Sequence, residues 1–128
     1  MIDIAQPRKL ELKVKTVFEK KGYLVDRSLF NFKKMSDGTY RANKNDFAHV
    51  FDLICYKQDY PVLLLQVCMD SVVKQHQKKI DRLFGMHSCN TFKVIIVGVV
   101  KREVGKSVRY EYKYYERLQE GWVRNPYI

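Results

Sequence analysis

Two polar side chains stand inside apolar runs, and chemistry is expected there first. Val50 to Tyr56 holds Asp52, and Val62 to Met69 holds Gln66. Strand alternation puts Asp52 on one face with Ile54 and Tyr56, and Phe51, Leu53 and Cys55 on the other. On the partner run Gln66 and Cys68 share a face, with Val67 and Met69 opposite. A carboxylate buried in such a strand costs several kcal/mol, on the order of the penalty for an ion in a protein, unless something pairs with it. A metal ion or a basic group would supply the pairing. The plainer alternatives are Asp52 at a strand edge against Lys57 or Arg41, Gln66 bonded to the backbone, and Cys68 as packing.

The elements around these residues follow from periodicity and punctuation. Pro7 suits a first helical position, and Leu10, Val14, Val17 and Phe18 recur at helical spacing. Lys20 and Lys21 favour the negative end of the helix dipole, and Gly22 stops the helix. Glu11 on this helix reads either as an exposed side chain bonded to Lys15 or as a site residue. Tyr23-Leu24-Val25 reads as a short strand. Residues 31–46 are polar and read as an inserted loop or mobile hairpin turning at Asp37-Gly38. Lys57-Gln58-Asp59-Tyr60-Pro61 joins the two apolar runs as a hairpin. The spacing predicts a second helix from about Ser71 to Phe84, with Ser71 as cap and Gly85 as stop. Phe92 to Val100 reads as a central strand buried on both faces, and Val108 to Tyr115 as a further strand. The expectation is one α/β domain over residues 1–128, a central mixed β-sheet flanked by helices.

Charge narrows the function. The chain of 128 residues holds 24 Lys plus Arg against 14 Asp plus Glu, a net charge of +10, and this points to a polyanion, most often nucleic acid. The longest apolar run, Val94 to Val100, falls well short of the roughly 20 residues of a membrane span. Met1-Ile2-Asp3-Ile4-Ala5 lacks the features of a secretory signal, so a cytoplasmic setting is expected. Cys55, Cys68 and Cys89 show neither zinc spacing nor a disulfide framework. His76 sits at helical spacing between Val73 and Ile80 and reads as a core-edge histidine, while His49 and His87 show no partner at a recognisable spacing. Three basic clusters are candidates for nucleic-acid contact. Lys33, Lys34, Arg41 and Lys44 lie in the polar loop. Lys74, Lys78, Lys79 and Arg82 line the polar side of the second helix. Lys101, Arg102, Lys106 and Arg109 frame the last hairpin. Tyr110, Tyr112 and Tyr114 share one strand face, where packing is favoured over stacking on bases.

This order of elements resembles the PD-(D/E)XK nuclease superfamily, and most closely the archaeal Holliday junction resolvases. Lys9-Leu10-Glu11-Leu12 through Gly22-Tyr23-Leu24-Val25 looks like the family's first helix and strand. Phe51-Asp52-Leu53-Ile54-Cys55-Tyr56 looks like its aspartate strand, and Leu65-Gln66-Val67-Cys68 like its Glu-x-Lys strand. The resemblance covers roughly residues 8 to 100. It implies a restriction-endonuclease-like core and Mg²⁺ or Mn²⁺ held by Asp52, Gln66 and the main-chain carbonyl of Val67. Glu11 and Lys74, the latter as a displaced lysine, would complete the catalytic set for hydrolysis of a phosphodiester in branched or structured DNA. It also implies a homodimer, and a small chain of this kind would suit a virus of an archaeal host. Gln66 stands where the family has a carboxylate and Cys68 where it has lysine. A glutamine brings no negative charge to a hard cation, and a thiol does not stabilise phosphate charge as an ammonium does. The alternative implied is a catalytically inactive nucleic-acid-binding or assembly protein that retains the nuclease fold.

Overall fold

Alternating burial along the strands, set against one amphipathic helix on each face, produces a six-stranded sheet between two helices. The computed structural model describes residues 5–27, 30–34, 36, 40–44, 51–85 and 92–126. Helix α1 spans Ala5–Lys20 and β1 Leu24–Arg27; β2 (Phe30–Lys34) and β3 (Tyr40–Lys44) follow. Then come β4 (Leu53–Tyr56), β5 (Val62–Met69), α2 (Val73–Phe84), β6 (Phe92–Val104), β7 (Ser107–Leu118) and β8 (Gly121–Arg124). The main sheet has the order β1-β4-β5-β6-β7-β8. β1, β4 and β5 form an antiparallel meander, α2 crosses over, and β6 returns parallel to β5.

Gly22, with φ of 95°, turns the chain out of α1, and the Tyr23 N–H reaches back to the Phe18 carbonyl at 3.2 Å. Val14 and Phe18 then pack with Val25, Leu53, Leu63, Leu65, Val67, Ile95 and Val97 on one face of the sheet. On the other face Val73 and Ile80 of α2 join Phe51, Cys68, Val94 and Ile96. β6 is buried without a break from Val94 to Val99, as expected of a central strand covered on both sides.

Several details refine or differ from the sequence reading. Of the loop or hairpin expected over residues 31–46, the hairpin alternative matches the antiparallel pairing of β2 with β3 in a separate two-stranded sheet, Phe30 with Lys44 and Lys34 with Tyr40; the expected turn at Asp37-Gly38 lies outside the described residues. The second helix begins at Val73 after a single 3-10 turn over Asp70–Val72, and no side chain caps it, so Ser71 is not its cap. The strand expected over Val108 to Tyr115 runs from Ser107 to Leu118, and β8 follows it, an element not expected from the sequence. No helix among the described residues is long and apolar enough to cross a membrane.

Asp70 explains the tight turn after β5. Its carboxylate accepts from the Tyr115 hydroxyl at 2.7 Å and from Lys113 Nζ at 3.4 Å, tying β5 to β7 across β6. It crosses over Gly98, where an added Cβ would stand 2.6 Å from Asp70 Oδ1 and 3.0 Å from Val73 Cγ2. Only glycine permits that approach. Gly98→Ala is expected to lower stability by about 1–3 kcal/mol, the usual range for overpacking a filled site, read as a lower urea midpoint at unchanged slope.

Candidate functional site

The site is organised by a break in β4 at Asp52. Leu53 pairs with Leu65, so an unbroken ladder would set Phe51 opposite Val67. Instead the Asp52 N–H also donates to the Leu65 carbonyl, at 2.8 Å, and two residues stand against one. This is the hydrogen bonding of a β-bulge, which re-aims the side chains on its strand. Phe51 and Leu53, expected on one face, therefore lie on opposite faces: Phe51 in the α2-side cluster and Leu53 in the α1-side cluster.

The bulge leaves the Val67 N–H without its main-chain acceptor, and the Asp52 carboxylate takes that place. Asp52 Oδ2 accepts from the Val67 N–H at 2.9 Å, with Asp52 only 1% exposed. The Gln66 amide donates to the Val67 carbonyl at 3.4 Å. The Val67 peptide is thus held from both sides by the two polar residues singled out in the sequence.

Glu11 is 4% exposed, not a surface residue bonded to Lys15. Arg27 Nε reaches Glu11 Oε2 at 3.3 Å, while Lys15 pairs with Glu19 one turn further along. Arg27 follows Val25 by two residues on β1, which places it on the α1 face of the sheet. That alternation was available in the sequence and would have found this partner. Asp70, Lys113 and Tyr115 carried no such signal, because they meet only through pairing of distant strands.

Gln66 and Cys68 face α2. Gln66 is in register with Ile96 and Cys68 with Gly98, and Cys68 belongs to the same buried cluster as Ile80. Burial, and then the negative charges of Asp52 and Asp70, push the Cys68 thiol up to about 12, so it is a neutral group at physiological pH. Burial alone pushes Cys55, on the α1 side, to about 12. Lys74, Lys78, Lys79 and Arg82 are exposed on α2, and His76 there is half-buried. Lys57 does not serve Asp52 in the geometry observed: its Nζ donates to the Lys21 carbonyl at 2.9 Å and lies over the Tyr23 and Tyr60 rings. The side chains of Lys33, Lys34, Arg41 and Lys44, together with His49, His87 and Cys89, lie outside the described residues.

The resemblance calls for one constellation from Glu11, Asp52, Gln66 and the position of Cys68. The structure brings Asp52 and Gln66 together on the Val67 peptide, but sets Glu11 on one face and Gln66 with Cys68 on the other. Magnesium holds its ligands at about 2.0–2.1 Å, far less than the span across an intact sheet with its side chains. The Val67 carbonyl, a metal ligand in the expected set, already accepts from Gln66. Glu11 is therefore too far to join an ion shared with Gln66, whereas Asp52, Gln66 and the Val67 carbonyl, the expected ligand set, meet around one peptide. No family model, curated protein or solved structure matches this chain.

Two outcomes test this geometry. Asp52→Ala strands the buried Val67 N–H and should cost about 1–3 kcal/mol, the desolvation penalty of an unmade bond; chemical denaturation measures it. The two thiols are raised in the folded state only, so below the ordinary value of 9.0 they carry no pH dependence. As pH rises from about 9 towards 12 the unfolded chain ionises first, and stability falls across that window. A thermal midpoint that declines over this range in wild type, and less in Cys68→Ala, is the expected result.

Proposed function

We propose that this protein binds DNA on a restriction-endonuclease-like core and does not cleave it by that family's mechanism. The succession of α1, the β1-β4-β5 meander, α2 and a parallel β6 supports the core. The net charge of +10 and the exposed cations of α2 and the β6–β7 hairpin support the ligand. The observation that carries the loss of cleavage is the placement of Gln66 and Cys68 on the face away from Glu11. A neutral thiol at the lysine position and an arginine on the helical glutamate agree with it.

On this reading the buried acids are structural. Asp52 completes the β4–β5 ladder and Glu11 anchors α1 to β1. Binding then rests on exposed basic side chains, whose counterion release makes affinity fall steeply with salt. Four-way, flapped, single-stranded and linear DNA, incubated with Mg²⁺ or Mn²⁺ at high protein excess, should stay intact while mobility shifts show binding. Metal-dependent cleavage that Asp52→Ala abolishes would establish an endonuclease and overturn this reading.

A further inference from the structure

The β6–β7 hairpin outruns the sheet that carries it. β5 pairs with β6 only as far as Met69 opposite Val99, and β8 pairs with β7 only from Tyr115 to Leu118. Among the described residues, Val100–Val104 and Ser107–Glu111 therefore have only each other as strand neighbours, and every residue from Lys101 to Arg109 is exposed. Gly105, with φ of 61°, and Lys106 form the two-residue turn between Val104 and Ser107. Five residue pairs extend about 15 Å at the usual strand rise.

The charges on this ribbon are placed against its own stability. Arg102 stands directly opposite Arg109, a like-charge pairing that weakens a two-stranded ribbon. Glu111 relieves half of it through a 2.8 Å ion pair with Arg102, whereas Arg109 has no ion pair among the described residues. Strand alternation puts Arg102 and Arg109 on one face, and Lys106 sits at the tip. Val104 and Val108 stay 55% and 46% exposed beside the turn, apolar side chains that the protein itself does not cover.

We infer that this ribbon is an arm that enters the major groove of duplex DNA by the face carrying Arg102, Arg109 and Val104, with the two arginines and Lys106 on phosphates and Val104 against a base edge, while Val108 and Glu103 lie on the opposite face. The inference rests on the DNA-binding reading above. A two-stranded ribbon fits the roughly 12 Å wide major groove of B-form DNA, and an exposed valine on its arginine face matches a thymine methyl group there. The deep, narrow major groove of A-form RNA excludes such an arm.

The test compares wild type with Arg102→Ala/Arg109→Ala on a labelled 20-base-pair duplex across a salt series, with dimethyl sulfate protection of guanine N7 as a second readout. Both side chains are exposed, and an unchanged thermal midpoint verifies the fold. The expected result is about tenfold weaker binding near physiological salt, a salt slope shallower by about 1.8, and loss of N7 protection. Wild-type affinity and slope in the double variant, or binding without N7 protection in wild type, would overturn the arm while leaving DNA binding in place. Tighter binding of an RNA duplex of the same sequence would overturn it too. If wild-type protein binds no DNA even at 50 mM salt, the DNA-binding reading itself fails.

Discussion

One hydrogen bond, from the Val67 N–H to the Asp52 carboxylate, decides how the two layers of this protein meet. It closes the ladder where the bulge opens it, and so lets Phe51 and Leu53 serve different cores. Phe51 joins Phe84 and Phe92 in a tilted aromatic row under α2, with ring centroids 6.1 Å apart at each step. Leu53 lies in the core under α1, where Phe18 meets Tyr23 and Tyr114 edge-on. A carboxylate inside a sheet is tolerable because it accepts a main-chain donor that would otherwise be unmet.

The same economy of polar groups governs the rest of the interior. Every buried acid described has a structural partner: Glu11 has Arg27, and Glu116 has Lys93 at 3.3 Å and Asn125 at 3.2 Å. The half-buried Asp70 has Tyr115 and Lys113. The tyrosine stripe of β7 is likewise absorbed by packing, with Lys13 over Tyr110 at 4.6 Å and Lys21 over Tyr114 at 5.5 Å. Among the described residues, what is left at the surface is predominantly cationic.

Much of the fold was legible from local signals. Gly22 and Gly85 mark the ends of both helices because each supplies a positive φ at the helix stop. The unbroken apolar run of β6 announces a strand covered on two sides. The short β8 was not legible, since Trp122 and Val123 become a strand only by pairing with Arg117 and Glu116. At the candidate site, Asp52 and Gln66 stand out in sequence as polar residues in apolar strands, and they do meet. Gln66 and Cys68 share a face as expected, but Phe51 does not share that of Leu53, because strict alternation assumes a continuous ladder and one extra residue shifts everything on its N-terminal side.

By itself, then, the sequence determined the two amphipathic helices, the central buried strand, the polar residues of the β4–β5 hairpin and the surplus of positive charge. These depend on residue type and short-range periodicity. The tertiary structure alone decided which face each polar group occupies, that Glu11 binds Arg27, that Asp70 locks β5 to β7, and that part of the charge rides on a ribbon projecting past the sheet. Those depend on register between strands far apart in the chain, where a single bulge or a few unmatched residues at a strand end redirects the chemistry.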